Sequence, residues 1–288
     1  MELYLVDGTY ELFRNYYSPP RKKTSDGREV GAVAGLIRTL AALLRDRKVT
    51  HIACAFDSVV ESFRNRLFAG YKTGEGIPAD LLAQFEPAER ATAAMGIVVW
   101  PMVEFEADDA LATACARWGR DFQRIYICSP DKDLTQCVVG DSVVVWDRRR
   151  DRILDERGVK EKFGLPPASI PDWLALVGDA ADGIPGIPGW GQKAATTVLA
   201  RFRRLEHIPA DERDWGVTVR GAARLATVLE ERRDDAMLYR RLATLRTDVP
   251  LPEKVQELRW RGADREAFLD FCFSIESENL VDRIPMWA

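Results

Sequence analysis

The sequence predicts an α/β protein: a twisted, mainly parallel sheet flanked by helices, followed by a helical second domain. Two observations carry that expectation. Short apolar runs alternate with segments of helical periodicity through the first half of the chain, which is the pattern of strands joined by crossover helices. After about residue 155 the strand-like runs stop, and prolines and glycines punctuate short helical segments instead. A third observation sharpens the first: several apolar runs end directly in an acidic residue, as strands do where their carboxyl ends meet at one edge of an open parallel sheet.

The elements follow in order. Leu3–Val6 is a short apolar strand, and residues 32–46 repeat apolar side chains at helical spacing. His51–Phe56 is a buried strand, residues 80–95 are helical, and Ile97–Trp100 is a further strand. An alanine-rich helix spans 107–118, and two strands follow at Arg124–Cys128 and Ser142–Trp146. Pro166-Pro167 and the Pro/Gly cluster Gly183–Gly191 interrupt the second half, and residues 221–246 read as one long charged helix. A domain boundary is expected between 160 and 168. Taken at 165, it divides an α/β domain, 1–165, from a helical domain, 166–288.

Composition limits the chemistry. No stretch of about 18 apolar residues exists to span a membrane, and the first residues lack the basic start and apolar core of a signal peptide. The five cysteines form no CxxC pair, which fits reduced thiols in a cytosolic protein. With only two histidines, His51 and His207, carboxylates must carry any metal chemistry. The net charge of −4 does not argue against a polyanionic partner, because setting aside the nine acids discussed below turns it into +5.

Those nine acids are Asp7, Asp57, Glu106, Asp108, Asp109, Asp131, Asp133, Asp179 and Asp182. Asp7 and Asp57 directly follow apolar runs, and Asp131 and Asp133 follow Ile125–Cys128 closely. Glu106 and Asp109 lie three apart at a helix start and share a face; Asp179 and Asp182 have the same spacing beyond the domain boundary. Taken singly, each has an ordinary explanation: helix-dipole compensation, a turn, or a cap. Gathered in one pocket they could not all stay ionised: either some are protonated or divalent cations sit among them. Two carboxylates about 6 Å apart repel by roughly 3 kcal/mol at an effective dielectric near 20. Oxygen-only ligands suit Mg²⁺ or Mn²⁺, and a pair of such ions is a device for in-line phosphodiester hydrolysis.

The motifs also carry a resemblance. Leu5-Val6-Asp7-Gly8, Phe56-Asp57, Ser62-Phe63-Arg64, Gly70-Tyr71-Lys72, Phe105–Leu111, Asp131–Gln136, Gly178–Ala195 and Arg246–Leu251 resemble, in order and spacing, the motifs of the bacterial 5′→3′ exonuclease and flap endonuclease family. That family includes the 5′-nuclease domain of DNA polymerase I and stand-alone relatives. The resemblance implies a PIN-like core with a helical arch at about 70–95 and a helix–three-turn–helix module at about 175–202. It implies that Asp7, Asp57, Glu106 and Asp108 serve mainly one metal ion, with Asp109 close by, and that Asp131, Asp133, Asp179 and Asp182 serve mainly a second.

By the same resemblance Lys72 is the active-site lysine at the scissile phosphate, and Arg14 helps to hold the substrate or the acids. Arg64 and Tyr71 are expected at the DNA, Tyr71 by stacking on a terminal base. In the hairpin, Gly186, Gly189, Gly191, Gln192 and Lys193 would approach phosphates through the backbone, helix start and ammonium. The hairpin carbonyls would also suit K⁺. The implied partners are branched or 5′-ended DNA and a separate DNA polymerase, with the chain a monomer in the bacterial cytoplasm, on the nucleoid when bound to DNA. The function implied is 5′→3′ exonuclease and flap endonuclease.

Three positions depart from the pattern. Glu75 stands where an arginine is usual in the arch, Pro130 where a small residue is common, and Trp190 where the hairpin has an isoleucine. Two other classes of function remain open. A DNA-structure-binding protein without catalysis would share the fold, but has no use for a complete acid set. A single-domain RNase with a similar sheet would lack the Gly183–Gly191 hairpin.

Overall fold

The computed structural model describes every residue except Pro19 and Lys48. Its strands are β1 (Glu2–Asp7), β2 (His51–Asp57), β3 (Val98–Met102), β4 (Arg124–Cys128), β5 (Val143–Asp147) and β6 (Arg152–Leu154). The helices, in order, are α1 (Gly8–Tyr16), α2 (Gly31–Arg47), α3 (Phe63–Leu67), α4 (Ala79–Leu82), α5 (Phe85–Ala94) and α6 (Ala107–Trp118). They continue with α7 (Glu156–Phe163), α8 (Ile170–Val177), α9 (Gln192–Phe202), α10 (Ala222–Glu231), α11 (Arg233–Ala243) and α12 (Arg265–Ser274). The chain forms two compact units. One comprises Met1–Ser62, Gly74–Ser129 and Thr247–Ala288; the other comprises Phe63–Thr73 and Pro130–Arg246.

The first unit is built on four parallel strands in the order β3-β2-β1-β4. Leu5 pairs with Ala53 on one side and Ile127 on the other. Leu3, Leu5, Val6, Ile52, Ala53, Cys54, Ile125 and Ile127 are all fully buried. Strands covered by helices on both faces have no solvent side, which is why these runs read as continuously apolar rather than alternating. α1 begins at once after β1. Gly8 allows this, since a Cβ there would lie 2.4 Å from the Phe56 ring.

The expected helix at 80–95 is split into α4 and α5. Both helices bury an apolar face, Leu81 in α4 and Ala88 and Ala91 in α5, and α5 packs against α2, β3 and α12. Within the stretch expected as an arch, helix therefore begins only at Ala79. The segment Thr247–Ala288 returns to this unit. Trp260 donates from its indole to the Met95 carbonyl (2.8 Å), and Trp100 donates to Glu253 (2.9 Å).

In the second unit, β5 and β6 form an antiparallel hairpin; β6 is too short to be read from periodicity. The long charged helix expected at 221–246 is two helices, α10 and α11, broken at Arg232, where φ is −121°. Local propensity does not require the break. α11 packs against α8, and Arg233 donates to the carbonyls of Leu205 and Ile208, both at 3.2 Å. Tertiary packing thus overrides a run of good helix formers. The buried Asp172 of α8 accepts from the Leu205 amide (2.9 Å) and faces Arg204 and Arg240 at 3.3 Å. These contacts fix α8, which leads into the hairpin.

Candidate active site

In the first unit, the acids expected at strand ends are positioned by strands and helix starts. Asp7 caps α1, accepting from the Tyr10 amide at 2.8 Å, while its other oxygen accepts from the Ser129 hydroxyl at 2.9 Å. Asp57 ends β2, and its carboxylate accepts from the Ala107 amide at 2.7 Å, the first amide of α6. Glu106 caps α6 and accepts from the buried Ser62 hydroxyl at 2.7 Å. Asp109 is fully buried and accepts from the Glu106 amide at 3.0 Å, closing a capping box. Asp108, on the same first turn, is half-buried. Asp7, Asp57, Glu106 and Asp109 thus all act at helix starts, where a carboxylate is stabilised by orphan amides and the dipole.

The second unit holds a tighter set. Carboxylate oxygens of Asp133, Asp179 and Asp182 all lie within 4.8 Å of one another. Asp131 is exposed at the edge of this set and accepts from the Asp133 amide at 2.8 Å. Asp133 is buried, and one of its oxygens has no hydrogen-bond partner. Burial, then the charges of Asp131 and Asp182, push its carboxyl well above the usual range. A buried carboxylate oxygen without a hydrogen bond costs free energy unless a proton or cation meets it, and the Lys132 ammonium faces this one from 3.8 Å. An oxygen-only pocket of this size suits a hard divalent cation.

Lys132 was not singled out by sequence reasoning, yet it lies among these acids. Its ammonium hydrogen-bonds to Asp179 and lies 3.8 Å from Asp133. Burial alone would lower its pKa; Asp133, Asp179 and Asp131 raise it above the ordinary value. The available signal was its place between two acids of the Asp131-Lys132-Asp133 run.

Lys72 is half-buried, with its ammonium 3.1 Å from Asp182, and its amide donates to the Asp182 carbonyl at 3.0 Å. Arg14 reaches Glu11 on its own helix (2.8 Å) and Thr39 (3.0 Å). Arg64 and Tyr71 are buried. The Arg64 guanidinium donates to the carbonyls of Leu242 (2.8 Å) and Thr244 (3.3 Å) and lies over the Phe63 ring. It fastens α3 to the end of α11, a structural use that the motif does not reveal. Glu75 is exposed.

The hairpin between α8 and α9 closes through paired bonds between Asp179 and Ile184, both at 2.8 Å. Gly189, Gly191, Gln192 and Lys193 are exposed at the start of α9, and Gly186 is buried within the turn. Trp190 is buried and explains its own departure from the pattern: its indole donates to the Leu225 carbonyl of α10 at 3.2 Å and packs against Trp215.

Comparison with known proteins adds the family. A model of the 5′-3′ exonuclease N-terminal resolvase-like domain matches residues 2–164, and one of the 5′-3′ exonuclease C-terminal SAM fold matches residues 165–266. The chain belongs to the 5′-3′ exonuclease family. It is 35% identical to DNA polymerase I of Pseudomonas aeruginosa over 97% of its length, and spans 31% of that polymerase. It is 28% identical to a 5′-3′ exonuclease of Aquifex aeolicus, covering 98% of this chain and 94% of the relative. Among solved structures, a bacteriophage T5 flap endonuclease in complex with DNA and metal ions shares the fold, with a TM-score of 0.69 at 16% identity and 98% of each chain covered. The catalytic core of Rad2 in complex with DNA substrate also shares it, with a TM-score of 0.62 at 15% identity, covering 97% of this chain and 90% of that one.

Proposed function

We propose that this member of the 5′-3′ exonuclease family is a structure-selective 5′-nuclease, hydrolysing DNA phosphodiester bonds as a 5′→3′ exonuclease and flap endonuclease. The observation that carries the reading is the acid set of Asp133, Asp179 and Asp182, whose carboxylate oxygens lie within 4.8 Å of one another and suit a divalent cation. Two ions, Mg²⁺ or Mn²⁺, fit the donor chemistry. Asp7, Asp57, Glu106 and Asp108 would hold mainly one, with Asp109 acting through its cap on Glu106. Asp131, Asp133, Asp179 and Asp182 would hold mainly the other. When bound, such ions supply an activated water and stabilise the leaving oxygen.

The protein's own groups do the rest. Lys72 supplies positive charge where negative charge develops at the reacting phosphate. Lys132 neutralises Asp179 and Asp133 when cations are scarce. Arg14, which pairs with Glu11 on α1, would help to hold the substrate or the acidic cluster. Gly189, Gly191, Gln192 and Lys193 would grip duplex phosphates, with Gly186 shaping the turn and its carbonyls suiting K⁺. Arg64 and Tyr71 would support the Lys72 segment from beneath. We place the functional division at 165/166, supported by the meeting of the two family models at 164/165. The proposed setting is primer or flap removal in bacterial replication and repair. There the chain would act as a cytoplasmic monomer in concert with a separate polymerase. No helix among the described residues is long and apolar enough to cross a membrane.

The test uses Asp57→Asn and Asp131→Asn. Each is expected to lower single-turnover cleavage of a 5′-flap substrate by orders of magnitude while binding survives, because losing an acid also reduces repulsion toward phosphate. A variant that cleaves within a few-fold of wild type removes that residue from the metal set.

A further inference from the structure

The hairpin of β5 and β6 carries a cluster of cations that the acid-centred reading leaves unused. Asp147 pairs with Arg152 across the ladder, and the turn between them holds Arg148, Arg149, Arg150 and Asp151. Its two acids are already committed within the hairpin. Asp147 accepts from the amides of Arg149 and Arg150, both at 3.1 Å, and pairs with the Arg150 guanidinium at 3.1 Å. Asp151 sits at a φ of 46° and accepts from the Trp146 indole at 3.0 Å, which holds the turn in shape.

The remaining positive charge is unbalanced. Arg149 and Arg152 are exposed, and neither guanidinium has a hydrogen-bond or ion-pair partner among the described residues. Lys162, on α7 beside β6, adds a third cation. Burial and then Arg152 lower its ammonium below the usual value, against the opposing pull of Asp131 and Asp147. Nearby exposed cations behave differently: Arg157 pairs with Glu161 and Lys160 with Glu156. A solvated charged face would be laced with such pairs along its length. At Arg149 and Arg152 they stop.

We infer that the β5–β6 hairpin is a second nucleic-acid contact, in which Arg149, Arg152 and Lys162 engage successive phosphates of duplex DNA. The inference rests on the proposed DNA nuclease activity and adds a surface separate from the α8–α9 hairpin. Several cations spread over a rigid ribbon suit a polyanion with regularly repeated charge better than a single carboxylate or phosphate. The turn residues 148–151 include no aromatic to stack on a base, so the contact is to backbone and independent of sequence.

The experiment measures binding of a blunt duplex by fluorescence anisotropy across a salt series, with EDTA present so that nothing is cleaved. The Arg149→Ser/Arg152→Ser double variant is expected to bind several-fold more weakly near physiological salt. Its log-affinity against log-salt slope should fall by roughly two units, about 0.9 for each phosphate no longer neutralised. Arg157→Ser, whose charge is already paired, should match wild type in both. A double variant with unchanged affinity and slope, beside a wild type that binds, overturns the hairpin contact and leaves the nuclease reading intact. A wild type that does not bind duplex DNA overturns both.

Discussion

Asp133 is the residue on which the site's electrostatics turn. A carboxyl raised by burial contributes stability that is full below the unfolded pKa, near 4, and is lost as pH rises through its elevated folded value. In metal-free protein this one contribution should therefore fade as pH climbs from about 4. A divalent cation needs the ionised form, so the melting-temperature gain from Mg²⁺ should grow with pH. Thermal melts at several pH values with and without Mg²⁺ check this; Asp133→Asn should flatten the dependence, and an equal gain in that variant would contradict it. Lys72→Ala should slow cleavage at saturating DNA with little change in binding, because its partner charge develops in the reaction. Single-turnover rates and binding titrations, read together, separate those effects. Sequence could place Lys72 and the acids because motif spacing fixes position along the chain. It could not reveal that Arg64 and Tyr71 are buried, since a motif does not say whether a charge faces solvent or neighbouring carbonyls. Lys132 escaped for a related reason: a lysine between two acids reads as ordinary charge alternation until burial is known.

At the scale of elements, glycine at 183 is required by two facts at once. Its φ is +71°, and a Cβ there would lie 2.2 Å from the Gly70 carbonyl oxygen. Gly183→Ala should thus cost on the order of 1–3 kcal/mol and loosen the Lys72 amide bond to Asp182. Chemical denaturation measures the loss; an unchanged midpoint would show that the turn relaxes freely. Lys193, exposed at the start of α9, is expected to act on affinity alone. Lys193→Ala should weaken all duplex-bearing substrates about equally, lower the salt slope by roughly one unit and leave the cut position unchanged. Equal affinity and slope would return the α8–α9 turn to a purely structural role. The parallel strands and their terminal acids were legible because double-sided burial leaves long apolar runs. The break at Arg232 was not, although Asp234 and Asp235 in the first turn of α11 are the kind of acids that open a helix. The break is made by packing against α8 and by Arg233 reaching carbonyls distant in sequence. The three residues of β6 were too few to show a period.

For the molecule as a whole, a net charge of −4 is compatible with a DNA partner only if cations and acids are segregated. Asp133, Asp179 and Asp182 form such an acidic set, and Arg149 and Arg152 supply cations that are not neutralised within the hairpin. Membership of the 5′-3′ exonuclease family fixes the fold and narrows the chemistry, and the Asp133, Asp179 and Asp182 set has the oxygen donors that could hold a metal ion. The direct measurement is cleavage of a 5′-labelled flap DNA by the purified chain in Mg²⁺, in Mn²⁺ and in excess EDTA. The account predicts 5′-end-dependent products with either ion, silence in chelator and full recovery when the ion is restored. Undiminished cleavage in EDTA would contradict the claim that these carboxylates work through bound metal, and the absence of cleavage with either ion would contradict the nuclease itself.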